Sequence, residues 1–169
     1  MANINESLGT DAILAVVNLQ SKASSATVGW ISALVDNTTT LALDYEVYVS
    51  LPTAASAPAN DKAVHVKICA AHKDNGGIWR YSDGGTTSLP TAGDASYTIT
   101  ADPGNNFDEV MTLAYGVTSA VIQGTTNLSR FYGLGCMPDG FLVFILNYSG
   151  AALSTGCVVE VRPCAETVV

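Results

Sequence analysis

The sequence predicts an all-β protein, an antiparallel β-sandwich, and three observations predict it. TLALDYEVYVSLP sets Leu41, Leu43, Tyr45, Val47, Val49 and Leu51 at alternate positions, with Asp44, Glu46 and Ser50 between them. A period of two is the pattern of a strand with one buried face. Short segments of this kind recur along the chain, about eight in all, at the spacing of a sandwich or barrel. No long helical pattern interrupts them. The chain has 169 residues, 48% of them hydrophobic and 13% charged. It suits one domain that buries about 70% of its unfolded surface.

Residues 1–25 are expected to be an N-terminal arm or first element, ahead of a sandwich domain at 26–169. Within them AILAVVNL (12–19) suits a helix capped by Thr10 or Asp11, or a strand favoured by its β-branched residues. VGWISALV (28–35) reads as a strand before the turn DNTTT. The long strand at 41–51 ends at Pro52 and the loop TAASAPAND. AVHVKIC (63–69) alternates again, with Val64, Val66 and Ile68 facing one way and His65, Lys67 and Cys69 the other. HKDNGG (72–77) is a turn, and IWRYSDGG a short strand closed by Asp83-Gly84-Gly85. SYTIT (96–100) and DEVMTLAYG (108–116) flank the loop ADPGNNF. NLSRFYGLG leads into the last apolar run, and CVVEVR (157–162) turns Cys157, Val159 and Val161 inward.

GFLVFILNYSGAAL (140–153) breaks the alternation, since Phe141 to Leu146 are all apolar. The run is far shorter than the roughly 20 residues of a membrane-spanning helix. A strand apolar on both faces is covered on both sides. One face belongs to the sandwich. A neighbouring subunit or the chain's own N-terminal arm is expected over the other.

Composition excludes several functions. With 15 acidic and 7 basic residues the formal charge is −8, which opposes a phosphate-neutralising role on nucleic acid. MANINESLGTDAILAVVNL has no basic segment ahead of an apolar one, so no secretory signal is expected, and synthesis in a reducing cytoplasm is. No membrane association is expected. Cys69, Cys136, Cys157 and Cys164 lack zinc-ligand spacing and read as small apolar residues. Neither His65 nor His72 accompanies a nucleophile motif, and no glycine-rich phosphate loop opens a helix. The chain is not expected to be an enzyme or to hold a cofactor. Asp94, Asp102, Asp108 and Glu109 form an oxygen-rich stretch of the sort calcium favours, but without EF-hand spacing, and turn formation explains them better. Trp30, Trp79 and Tyr81 suit core or interface anchors better than a sugar platform.

Residues 24 to 155 resemble small structural proteins of tailed bacteriophages. The resemblance is carried by SSATVGWISALVDNTTTLALDYEVYVSL, with its turn at Val35 to Thr39; by KAVHVKICAAHKDNGGIWRYSDG; and by FYGLGCMPDGFLVFILNYSGAALS. In the last of these, Pro138, the strand Phe141 to Leu146 and Asn147 to Leu153 take the family's places. The cysteines depart from the family pattern, as does the C-terminal ending. The resemblance implies a jelly-roll β-sandwich that decorates the outer surface of a capsid as a cement protein. Its partner would be the major capsid protein. The two-faced apolar strand Phe141 to Leu146 further predicts a homo-oligomer, a trimer, since an exposed apolar face of that size marks an interface. Ile4, Leu8, Ile13, Phe141, Phe144 and Leu146 are the candidate partner or subunit contacts. The alternative is a tail or fibre-tip adhesin that binds a host glycan through exposed aromatic residues.

Overall fold

A computed structural model describes residues 4–52, 62–82, 93–99, 107–114, 121–133 and 135–168. The strands are β1 (Ile4–Leu8), β2 (Ala12–Ile13), β3 (Val28–Ile31), β4 (Val35–Asp36), β5 (Asp44–Pro52) and β6 (Ala63–Lys73). They continue as β7 (Trp79–Tyr81), β8 (Ala95–Thr98), β9 (Asp108–Ala114), β10 (Val121–Asn127), β11 (Gly140–Asn147) and β12 (Val158–Val168). A single helical turn, α1, spans Ser129–Tyr132.

The strands form two antiparallel sheets. The first runs β1–β12–β5–β10 with β2 also on β12; the second runs β7–β6–β11–β3–β8 with β4 on β11 and β9 on β6. Four pairings set the topology: β2 with β12, β3 and β4 with β11, β5 with β10, and β6 with β9. Counting β1/β2 and β3/β4 as one broken strand each, and leaving aside β7 and β8, first pairs with last, second with seventh, and so inward. That is an antiparallel ribbon rolled over on itself, the jelly roll. Bonds from β12 to β5 and from β11 to β6 then close the two sheets.

The break between β1 and β2 has a local cause. It falls opposite Pro163, which has no N–H to offer. Gly9 crosses so close that a Cβ there would lie 2.7 Å from Pro163 Cγ, and its own N–H bonds Pro163 O at 2.8 Å.

The core lies between the sheets. Tyr45, Val47, Val49 and Leu51 of β5 and Val159 and Val161 of β12 meet Val64, Val66 and Ile68 of β6 and Phe141, Val143 and Ile145 of β11. These are the inward positions that alternation assigns. Each large side chain so buried contributes about 1.5–3 kcal/mol.

The outer face of β11 is covered by the chain itself. Leu142, Phe144 and Leu146 pack with Ile31, Cys69 and Phe107 in a second apolar cluster, flanked by Leu34, Tyr81, Ala95, Tyr97 and Ile99. The rings of Phe107 and Tyr97 stand 5.5 and 6.1 Å from that of Phe144. The cover therefore comes from β8, which pairs with β3, and from the residue that leads into β9. This corrects the expectation of a neighbouring subunit or the N-terminal arm at that face.

Three further elements differ from expectation. β5 begins at Asp44 rather than Leu41, because Asn37 draws the chain into a turn: its side-chain oxygen accepts Ala42 N–H at 2.8 Å, and Leu41 takes φ +48° and stands 72% exposed. β10 carries a weak sequence signal, since Gly124 and Thr126 stand where apolar residues would mark it. Gly124 gives way to β9: a Cβ there would come within 2.6 Å of Leu113. The 12–19 segment is not a helix. Ala12–Ile13 pair with β12, Leu14 N–H bonds Val159 O at 2.9 Å, and a turn follows.

Candidate partner-binding surface

The six candidate contact residues do not gather on one surface. Phe141 lies between the sheets, and Phe144 and Leu146 lie beneath the second cluster. All three are buried within the chain, so they are corrected from contact residues to core residues. Ile13 is 70% exposed on β2. Ile4 and Leu8 stand on β1, in register with Val168 and Cys164.

The stretch after β11 is a structural knot. Asn147 is fully buried; its amide donates to Lys22 O at 3.0 Å and Ala151 O at 2.8 Å. Its oxygen accepts Ser149 N–H at 3.2 Å and Ser149 O–H at 2.6 Å. Gly150 takes φ +86°, and its N–H bonds Ser24 Oγ at 2.9 Å. The sequence N-x-S-G-A-A-L thus fastens the segment at 22–25 to the end of β11. Asn37 does the same at the opposite end, where it also accepts Tyr45 O–H at 3.1 Å. Asn37 and Asn147 are thus buried residues that hydrogen-bond the turns around them, one at each end of the sandwich.

The acidic stretch is not drawn together either. Asp94 accepts Val17 N–H, Asn18 N–H and Trp30 Nε1–H at 3.0, 2.9 and 2.8 Å, which pins the N-terminal segment to Trp30. Asp108 accepts Tyr132 O–H at 2.7 Å, and Glu109 meets His65 Nδ1 at 3.0 Å. Asp102 lies outside the described residues, among which no group of three metal-ligating side chains occurs. Trp30 is fully buried, Trp79 lies under Lys73, and Tyr81 belongs to the second cluster, so these aromatics form no sugar platform. All four cysteines are free thiols, and burial pushes Cys157 up to about 11, which keeps it protonated and inert.

Two polar features remain. On the outer face of the first sheet, Asp11, Glu46, Tyr48, Thr125, Glu160 and Arg162 line a shallow cavity of about 270 Å³. Arg162 clasps Asp11 and lies 3.4 Å from Glu46, so this site ties the entry to β2 onto the sheet. At the edge of the second sheet, His72 Nδ1 lies 2.6 Å from Asp139. The same carboxylate accepts Lys73 N–H at 2.9 Å and fixes the turn into β11.

These ties give an acid response. Asp11 is held below its ordinary value by the Arg162 hydrogen bond, Asp36 by Thr38, Asp74 by Ile78 N–H and Asp139 by Lys73 N–H. Burial pushes Glu109 up, but hydrogen bonds from Thr112 and His65 outweigh it and bring it below 4.5. A depressed carboxylate favours the folded state above its unfolded value, and that contribution is lost as pH falls through the folded value. Stability should therefore be flat from neutrality down to about pH 5 and decline below about pH 4, modestly per group because most of these carboxylates face solvent. Urea midpoints across that range test it; an unchanged midpoint at about pH 3 would refute it.

One end of the sandwich is less closed than the rest. β5 starts at Asp44, opposite Cys164, and Leu43 N–H makes the last bond to Cys164 O at 3.0 Å. β12 runs on to Val168 paired with β1. Among the described residues no strand lies on the other side of residues 165–168. The turns at this end also carry exposed apolar residues: Leu41 before β5, Ile78 between β6 and β7 at 55%, and Phe131 after β10 at 45%. The alternation that assigns Leu41 to an inward position is what hides this surface in the sequence.

No described helix is long and apolar enough to cross a membrane. No protein-family model matches the chain, and no curated protein matches it in sequence. Among solved structures, the chain is similar at 13% identity and a TM-score of 0.19 to one described as "Structure of infectious bursal disease virus Gt strain". The overlap covers 98% of this chain and 39% of that one, and at such a score it carries no argument.

Proposed function

We propose that the protein is a phage virion structural protein that decorates the capsid and stabilises it by binding major capsid protein subunits. One observation carries the reading. In two of the three segments through which the chain resembles small phage structural proteins, Asn37 and Asn147 are buried and fasten the turns at the two ends of its jelly roll. The resemblance thus lies in residues that determine architecture. The formal charge of −8 suits the outer face of a particle better than its DNA-filled interior. The trimer belongs to the same proposal, but the apolar face of β11 that predicted it finds its cover within the chain, so light scattering of the free protein decides it. Many modest contacts repeated over one shell act multivalently, which is how a small protein resists internal pressure.

The test is to add the purified protein to undecorated heads. The expected result is saturable binding at a fixed copy number and a higher rupture temperature, with a trimer in light scattering of the free protein. Heads equally robust with and without the protein would refute the cement reading, and specific binding on a glycan array would favour the adhesin instead.

A further inference from the structure

We propose that the shallow cavity on the outer face of the first sheet seats a lysine or arginine side chain of the shell protein, with Glu160 as its counter-ion and Tyr48 as the ring it lies against. This rests on the capsid-binding reading and names the contact through which it acts.

Strand register builds the site. Ile13 of β2, Glu160 of β12, Tyr48 of β5 and Thr125 of β10 stand opposite one another in one row across four strands. Directly opposed residues share a face. Val47, Val49, Val159 and Val161, the neighbours in sequence of Tyr48 and Glu160, fill the core, so this row points outward. The next row holds Arg162, Glu46 and Asn127. Asp11 joins side chains of both rows to line the cavity of about 270 Å³. The strands that carry these residues are held by the core beneath them, so the site is formed before a partner arrives.

Charge and shape select the occupant. Three carboxylates and one guanidinium line the cavity, a formal excess of two negative charges. Arg162 is engaged by Asp11 and lies 3.4 Å from Glu46, which also accepts Thr125 O–H at 3.0 Å. Glu160 stands between the half-buried Tyr48 and Ile13, which is 70% exposed. An anion, an aromatic ring and an aliphatic surface are the three things a long cationic side chain uses: counter-ion, cation–π partner and cover for its methylene stem. A bare metal ion fits less well, since no group of three metal-ligating side chains occurs among the described residues. The cavity also falls below the roughly 300–1,000 Å³ of pockets that enclose a whole small-molecule ligand. A second copy of this chain would bring a net charge of −8 to an acidic site. A basic side chain of the shell complements it.

The experiment titrates undecorated heads with the whole chain and its variants. Glu160→Gln keeps the shape and removes the charge; it should bind heads about tenfold more weakly. Glu160→Lys supplies a cation from within the cavity and should weaken binding about a hundredfold. Tyr48→Ala should weaken it about fivefold, and Tyr48→Phe, which restores the ring, should recover most of that loss. These changes lie on the outer face, so the circular-dichroism spectrum and urea midpoint should move little. If Glu160→Lys disturbs folding, Glu160→Gln and Tyr48→Ala decide. Undiminished binding by folded Glu160→Gln overturns the site, and undiminished binding by Tyr48→Ala overturns the part given to the ring. A shift of Glu160→Lys to a smaller species in sedimentation assigns the cavity to a second copy instead. Glycan-array binding that Glu160→Gln abolishes assigns it to a sugar. Heads that do not bind the unaltered protein at all refute the capsid reading itself, a separate failure.

Discussion

Replacing Phe144 by alanine should destabilise the folded protein by about 3–5 kcal/mol, the cost of removing a buried aromatic ring from a site that cannot collapse around the void. The site is rigid on every side. Phe107 and Tyr97 contact the ring from above, with centroids 5.5 and 6.1 Å away. Below it, Gly29 approaches so closely that a Cβ would fall 2.3 Å from Phe144 Cζ. Neighbouring strands fix Gly29 and Phe144, because β3 pairs with β11 at Ile31 and Phe144. Urea denaturation of Phe144→Ala should show a lower midpoint and, if unfolding stays two-state, an unchanged slope. Phe144→Asp should not fold, since it would bury an unpaired carboxylate. A folded, soluble Phe144→Asp would mean that this face is open and that the aromatic cover is not in place.

Asn147→Ala should cost about 2–3 kcal/mol, more than an exposed asparagine would, because its partners are buried with it. Ser149 N–H loses its acceptor, and Lys22 O and Ala151 O each lose a donor. Lys22 O keeps its bond from Leu153 N–H at 2.9 Å, and Ser149 O–H, released from Asn147, can turn to Ala151 O at 3.0 Å, which limits the loss. The effect should be local before it is global. Amides at Ser25 and Leu153, which bond Asn147 O and Lys22 O, should exchange faster in the variant while those of β5 and β6 stay protected. Uniform loss of protection across both sheets would show that the knot is part of one cooperative unit rather than a separate fastening.

The strands that the sequence reveals most clearly are those whose inward positions are filled by large apolar residues. Val47, Val49 and Leu51, and likewise Val64, Val66 and Ile68, can be assigned to one face without reference to anything distant, and all are buried. β10 is obscure for the complementary reason. Its inward Gly124 is small because β9 presses Leu113 against that position, and this pressure exists only in the folded protein. Leu41 shows the opposite failure. It keeps the alternation but is diverted by a hydrogen bond from Ala42 to Asn37, and a polar residue outside the periodic run decides its exposure. The candidate contacts on β11 fail in the same way, since apolar character measures the need for cover and not what supplies it.

Sequence by itself determined that this chain is of the all-β class, which residues of its strongest strands face the core, and that β11 requires cover on both sides. Those properties follow from a two-residue period and from hydrophobicity, and both are local. Tertiary structure alone decided that Tyr97 and Phe107 supply the second cover, that Asn147 fastens the 22–25 segment, and that β12 outruns β5 at Cys164. Each of these depends on where two segments distant in sequence meet. A period records which face of a strand is buried, but neither its partner nor the point at which the partner ends.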